Sequence, residues 1–419
     1  MEKIILFLYC LALLFILGNS LVQANLIYHY LKSYRRRTDL VHAAGAEPFT
    51  TGANAPFVTV QLPIYNELYV IERLMEAVAS FQYPKDRFEI QVLDDSIDAT
   101  SALVARKAAE IRARGIPVHH RRRNNRAGFK AGALAAGLPD AKGELVAIFD
   151  ADFVPTPDFL QKTVSYFKDP VIGVVQARWE HLNETYSLLT RVQAFALDSH
   201  FSVEQQGRQT GGYFINFNGT AGIWRKACIV DAGGWHSDTL TEDLDLSYRA
   251  QLRGWKLHYL ESLGAPAELP VAMNAFKTQQ FRWTKGAAEC ARKNLLAVLR
   301  SKSLTLGTKI HASFHLMNSF LFICLVVMAL LSLPILVIKH EYVQYAALFD
   351  LASVFVLSQL LLVVFYWVSF ATGRRKGHAN FLEFLQRFLL FLSISMGLSL
   401  HNAIAVLEGY LGRKTPFIR

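Results

Sequence analysis

Hydrophobic positions divide the chain into regions of different pattern before any motif is considered. Residues 4 to 24, "IILFLYCLALLFILGNSLVQA", form an apolar run long enough to cross a bilayer as a helix at about 1.5 Å per residue. From about residue 301 apolar runs return. Residues 315 to 338 and 345 to 370 are each long enough to span, and the short "KHEY" between them predicts a hairpin. A further apolar stretch covers about 385 to 406. It reads either as one more span or, broken at Gly397 and the His401–Asn402 pair, as a re-entrant or interfacial segment.

Between these regions, residues 56 to about 300 have the pattern of a water-soluble fold. "FVTVQL" (57–62), "FEIQVLDDS" (88–96), "GELVAIFDAD" (143–152) and "IGVVQARW" (172–179) are short apolar runs that predict buried strands. "ELYVIERLMEAVASF" (67–81) and "TSALVARKAAEIRARG" (100–115) carry amphipathic helical spacing. Strands alternating with helices predict an α/β fold with a doubly wound, mainly parallel sheet. Ligands in such sheets bind beyond the carboxyl ends of the strands.

Composition supports the membrane reading. Hydrophobic residues make up 52% of the 419 and mean hydropathy is +0.22, above the usual soluble globule. The net charge of +10 is concentrated in "YRRR" (34–37), "HHRRRNNR" (119–126) and "GRRKGH" (373–378). Two of these flank apolar runs, where the positive-inside rule puts them. No nucleic-acid module accompanies the clusters, so nucleic acid is not an expected partner. The first apolar run has no small-x-small cleavage site before "YHYLKSYRRR" and reads as a retained anchor whose C-terminal end is cytosolic. The four cysteines, at 10, 228, 290 and 324, have neither metal-site nor redox spacing and read as reduced thiols. These features predict a membrane anchor over 1–30, a cytosolic domain over 31–300, and an interfacial helix with membrane helices over 301–419.

Acids gather where the predicted strands end. Asp94 and Asp95 follow one strand and Asp150 and Asp152 another. Alternation along a strand puts residues two apart on one side, so Asp150 and Asp152 are expected to converge on one ligand. Two hard oxygen donors suit Mg²⁺ or Mn²⁺ bridging a diphosphate. Other pieces fit a nucleotide diphosphate. "LPIYNE" places Pro63, Tyr65, Asn66 and Glu67 after the first strand, where Tyr65 is suited to stack on a base. "NRAGFKAGAL" is a glycine-containing loop entering a helix, with Arg126 and Lys130 available to phosphates. "TEDLDLSYRAQLRGW" (241–255) opens with Glu242, Asp243 and Asp245. Two readings stand together there: a cap at Thr241 with acids opposing the helix dipole, and a carboxylate that moves protons. "QQFRW" carries Gln279, Arg282 and Trp283 just before the membrane hairpin.

Taken in order, "DDS", "DAD", "TED" and "QQFRW" resemble the D, DxD, TED, QxxRW pattern of processive family 2 glycosyltransferases such as cellulose, chitin and hyaluronan synthases. The spacings, about 55, 90 and 36 residues, are similar to the family's as well. "FNGTAGIWRKACIVDAGGW" and the stretch through "ELP" look closest to the cellulose-synthase-like mannan and glucomannan synthases. The resemblance covers about residues 55 to 300 closely and the membrane segments loosely. Longer family members carry further spans and a gating loop, and "GRKTPFIR" resembles only the start of that loop.

The resemblance implies a GT-A-type sheet inserted between transmembrane helices, in a multi-pass protein of a bacterial inner membrane or a Golgi-type membrane. It implies inverting transfer of a hexose from a nucleotide sugar, GDP-mannose or UDP-glucose, to a growing β-linked, β-1,4 glycan. Asp94 or Asp95 would hold the nucleotide and sugar, while Asp150 and Asp152 would sit at the metal and diphosphate. Asp243 would be the general base. Phe217, Asn218, Gly219 and Thr220 would border the acceptor end, with Glu242 beside them. Gln279, Arg282 and Trp283 would line the acceptor site and the leaving diphosphate. An alternative on the same fold is an enzyme adding one or a few sugars to a lipid acceptor.

Overall fold

The computed structural model describes residues 1–40, 55–373 and 380–414. Arg374 to His378 of the third basic cluster and the last five residues of the chain lie outside them, as do the side chains of Arg36 and Arg37. The chain divides into two units. One holds Met1–Arg36, Thr185–Tyr213 and Pro270–Arg419, and the other holds Arg37–Glu184 and Phe214–Leu269.

The second unit is built on a seven-stranded sheet. Its strands are β1 (Val58–Ile64), β2 (Phe88–Asp94), β3 (Val118–Arg122), β4 (Leu145–Ile148), β5 (Ile172–His181), β6 (Gly222–Arg225) and β7 (Lys256–Ala267). Their order is β3-β2-β1-β4-β6-β5-β7. Only β6 runs antiparallel to its neighbours β4 and β5, so the sheet is mainly parallel as expected. β1 and β2 are buried along their whole length, which fits central parallel strands covered on both faces. Their inward polar residues pair across the ladder: Thr59 Oγ1 donates to Glu89 Oε1 at 2.8 Å, and Gln61 Nε2 to Gln91 Oε1 at 3.0 Å. Helix Ile71–Ala79 buries Ile71, Leu74, Met75 and Val78, the i, i+3, i+4, i+7 stripe that predicted it.

Three strands escape the sequence pattern for separate reasons. β3 is an edge strand made of the basic cluster "HHRR" and shows no apolar alternation. β6 has four residues. β7 contains Gly264 and Pro266, and its register against β5 slips between Ala177 and Arg178.

The first unit is helical. Glu2–Arg35, Asn318–Glu341 and Val343–Thr372 are each long and apolar enough to cross a membrane. Phe381–Gly397 and Ser399–Leu411 meet at a 52° bend, so the break predicted near Gly397 is present, one turn ahead of His401. Segments 185–213 and 270–300, within the span expected of the cytosolic domain, cluster with these helices. The long helix Met273–Arg300 packs along Ser399–Leu411. The crossing is close because position 409 is glycine: a Cβ there would lie 2.7 Å from Lys285 O and 2.8 Å from Ala288 Cβ.

Gly409→Ala is therefore expected to push these helices apart and cost about 1–3 kcal/mol. Gly397, whose Cβ would meet nothing within 4 Å, should tolerate Ala with a change under about 1 kcal/mol. Thermal unfolding of the two variants in detergent checks the contrast.

Candidate functional site

Strands β1, β2 and β4 end at one edge of the sheet, and the acids stand there. Asp94 closes β2 and is 1% exposed. Its Oδ1 accepts from Ser96 N–H at 2.8 Å, its Oδ2 from Ser101 Oγ, and His120 Nε2 lies 2.8 Å away. Burial raises its pKa, but the bonds from His120, Ser101 and Ser96 outweigh that and bring it down to about 2. Asp95 is gripped by Arg123 through Nε at 2.9 Å and through Nη2. The basic cluster thus has internal partners: His119 faces Glu89, Arg121 pairs with Asp140, and Arg122 donates to Ser96 O. Each carboxylate of the "DDS" pair is engaged by the chain's own donors. The pair is thereby fixed in place at the strand ends.

At the end of β1, Asn66 adopts a left-handed φ of 55° and is stitched to the β2 side. Its N–H donates to Ser96 Oγ at 2.9 Å, and its Oδ1 accepts from Ile97 N–H at 3.0 Å. Pro63 is buried inside β1, past Gln61, the last residue paired with β4. Tyr65, expected to stack on a base, carries the Arg126 guanidinium over its ring at 3.3 Å. A base there would take the other face or displace Arg126. Glu67 is half-buried in the turn that starts the next helix, where its carbonyl accepts from the Val70 and Ile71 amides.

Asp150 and Asp152 lie in the turn after β4, which ends at Ile148. The turn, not strand alternation, brings them together. Lys130 Nζ donates to Asp150 Oδ1 at 2.5 Å and to Gly219 O at 3.0 Å. The Asp150 amide donates to Thr220 Oγ1 at 2.9 Å. Burial first, and then the Asp150 charge, push Asp152 up to about 7, with Glu268 adding to the repulsion. A half-buried pair of hard oxygen donors whose second member resists ionisation beside the first is what a divalent cation would stabilise. The residues fit Mg²⁺ or Mn²⁺.

The "FNGT" loop is fixed from two sides. Phe217 N–H donates to Ser247 Oγ at 2.9 Å, and Ser247 Oγ donates to Asp243 O at 2.6 Å. Gln251, a turn further along the same helix, bonds both the N–H and the carbonyl of Ile215. From β5, buried Gln176 accepts from Asn218 N–H at 2.9 Å and donates to Thr220 O and Ala221 O at 3.1 Å. Phe217 and Thr220 are fully buried, so they hold the loop and do not border a ligand with their side chains. Gly219 has a φ of 81°, and a Cβ on it would stand 3.0 Å from Asp243 Oδ2 and 3.5 Å from Lys130 Nζ. The loop backbone therefore passes directly against the "TED" carboxylate.

Asp243 lies in the first turn of helix Glu242–Leu252. Thr241 takes the N-cap position without a side-chain capping bond, and Asp243 Oδ1 accepts from Leu244 N–H at 2.8 Å. Burial and the neighbouring Glu242 carboxylate raise Asp243 to about 7. The cap reading thus fails at Thr241, while a carboxylate poised near neutrality remains. Lys130, Asp150, Asp152, Gly219, Thr220, Glu242 and Asp243 all belong to the sheet-bearing unit. The sequence motifs missed Gln176, Ser247 and Gln251, although buried amides and a helix-interior serine beside a motif are a readable signal.

Gln279, Arg282 and Trp283 belong to the helical unit, on Met273–Arg300. Gln279 and Trp283, one turn apart, line a cavity of about 210 Å³ together with Gln193, Phe276, Phe391 and Asn402, whereas Arg282 is not among its walls. Asn402 is 2% exposed, and its amide oxygen has no hydrogen-bond partner among the described residues. Aromatic faces beside amides are chemistry suited to a sugar ring.

Comparison with known proteins agrees with this geometry. Residues 55–286 match the family model described as "Glycosyltransferase like family 2". The chain is 35% identical over 401 residues to "Probable glucomannan 4-beta-mannosyltransferase 10" of Arabidopsis thaliana, covering 90% of this chain and 72% of that one. It is 36% identical over 380 residues to "Glucomannan 4-beta-mannosyltransferase 1" of Oryza sativa subsp. japonica, covering 86% and 73%. Its fold is similar to that of the mannosyltransferase PcManGT from Pyrobaculum calidifontis, solved in complex with GDP-Man and Mn²⁺. That match has a TM-score of 0.56 at 17% identity and covers 96% of this chain and 100% of the other. With the ordered motifs, the mainly parallel sheet and the acids at its strand ends, the chain belongs to glycosyltransferase family 2, as a nucleotide-sugar-dependent hexosyltransferase.

Proposed function

We propose that this enzyme is a multi-pass membrane protein that builds a β-1,4-linked mannan or glucomannan, with GDP-mannose as principal donor and its sheet-bearing unit in the cytosol. The observation that carries this reading is the half-buried Asp243 carboxylate, raised to about 7 and set against the Gly219–Lys130–Asp150 cluster. Inverting transfer needs one base opposite the leaving group, not the two carboxylates of a glycosidase. The names of the relatives at 35–39% identity supply the sugar and the linkage.

In this reading the nucleotide binds at the ends of β1 and β2, among Tyr65, Glu67, Arg126 and the Asp94–Asp95 pair. Asp150 and Asp152 hold the divalent cation, which when bound neutralises the diphosphate. Lys130 keeps Asp150 oriented. Asp243 removes the proton of the acceptor hydroxyl that attacks the anomeric carbon, and the nucleoside diphosphate leaves from the opposite face. Asn218 and Gly219 border the acceptor end. Gln279, Trp283 and Asn402 are suited to sugar rings of a glycan, and Arg282 to the charge of a diphosphate.

Asp243→Asn should lower transfer from labelled GDP-mannose at least about 100-fold while donor affinity stays near that of the native enzyme. Loss of donor binding in that variant would count against the base assignment. The base works only ionised, and its folded pKa is raised. The native rate should therefore fall about tenfold per pH unit below roughly 7 and level off above it. A flat profile between pH 5.5 and 8 contradicts this.

Asp152→Ala should abolish the dependence of donor binding on Mn²⁺, read by calorimetry with and without chelator. Gly219→Ala forces a Cβ into a left-handed turn against Asp243, at a backbone cost of about 1–2 kcal/mol. Its transfer rate should drop far more than its melting temperature.

A further inference from the structure

The third acid of "TEDLD" has no part in the chemistry described so far, yet it is the most deeply placed of the three. Asp245 is 0% exposed and one turn from Arg249, whose Nε donates to its Oδ2 at 2.8 Å. The rest of that guanidinium reaches backward along the chain. Nη2 donates to Gly234 O at 2.8 Å and Nη1 donates to Ala232 O. These carbonyls converge because Gly233 and Gly234 both turn left-handed, at φ 88° and 80°. The turn begins the segment 232–241 that delivers the chain to Asp243. Further along the segment, Ser237 lies against the turn before Lys130: its Cβ and Oγ stand 3.1 Å from where a Cβ on Gly128 would be. One buried carboxylate thus holds one guanidinium, and the guanidinium holds the root of the segment between the phosphate-side turn and the base.

His236 also faces this carboxylate, with Nδ1 3.9 Å from Asp245 Oδ2. His236, Asp238 and Asp245 bring ligand atoms within 4.8 Å of one another. Arg249 already neutralises Asp245, so the cluster serves the clamp rather than a cation. The plainer role for Arg249 is to cap the carbonyl end of the short helix Lys226–Asp231. That role affects stability alone.

We infer that Asp245 and Arg249 are positioning residues for transfer: through the 232–241 segment they set the Asp243 carboxylate against Gly219 and Lys130. The inference rests on Asp243 being the base. A buried charge-assisted pair fixes geometry more tightly than the neutral bonds around it, and a base displaced by about 1 Å loses orders of magnitude in rate.

The test uses the full-length enzyme in detergent, with Asp245→Asn, Arg249→Lys and the double variant. Each preparation is normalised by the stoichiometry of GDP-mannose binding in Mn²⁺, so misfolded protein drops out. Each single variant should lose roughly 10- to 100-fold in kcat, with donor affinity within about twofold of native. The double variant should be no slower than the slower single, because the two residues act as one unit. Arg249→Lys keeps the charge but cannot bond both carbonyls and the carboxylate, so its loss separates geometry from charge. The inference is overturned if either single variant keeps kcat within about threefold of native per binding-competent molecule, or if the losses multiply. A lowered melting temperature with unchanged normalised kcat leaves only the capping role. If Asp243→Asn itself stays active, the base assignment fails first. If Asp243→Asn is dead and Asp245→Asn is normal, only the clamp fails.

Discussion

The catalytic half of the molecule depends on one ammonium group. Lys130 bonds the Asp150 carboxylate and the Gly219 carbonyl, and it feels the charges of Glu242 and Asp243. Burial works to lower its pKa, but the surrounding carboxylates outweigh burial and raise it, so the lysine stays charged. Without that charge, the carboxylates of Asp150, Asp152, Glu242 and Asp243 would repel one another in a half-buried recess. With it, the loop carrying Gly219, the turn carrying Asp150 and the helix carrying Asp243 share a common counter-charge. The glycine-containing loop before Lys130 thus has a structural purpose apart from any phosphate it binds.

Around this centre the protein spends its buried polar groups on backbone, not on ligand. Gln176, Ser247 and Gln251 all bond the 215–221 segment, each from an element that also packs in the core. Ala221, in a left-handed conformation at φ 55°, sits in that segment and is held by Gln176 on its carbonyl. Strained backbone persists only where its surroundings over-determine it. Such preorganisation holds the 215–221 loop against Asp243.

Sequence and structure agree best where chemistry and pattern coincide. The acids of "DAD" and "TED" are legible because carboxylates are rare at the ends of apolar runs, and the parallel strands because their cores are continuous. What stays hidden has physical reasons. The edge strand β3 reads as a charge cluster because its polar side chains meet acids elsewhere in the fold, as His120 meets Asp94 and Arg121 meets Asp140. The burial of Phe217 and Thr220 is invisible because a motif gives residue types and not the direction of side chains. The engagement of Asp94 and Asp95 by His120 and Arg123 requires long-range pairing that spacing does not encode. Asn402 escapes notice because a single amide in an apolar stretch reads as an interruption, whereas in the fold it faces a cavity beside Trp283.

The central claim is that this machinery extends a β-1,4-linked hexose chain rather than capping a lipid. Purified enzyme in Mn²⁺ should be given labelled GDP-mannose and UDP-glucose, separately and together, and the product sized before and after endo-β-1,4-mannanase. The expected product is a gel-retained polymer formed from GDP-mannose and cut to short oligosaccharides by the mannanase. Label recovered only in organic-extractable lipid, or a polymer formed from UDP-glucose alone and resistant to the mannanase, would contradict it.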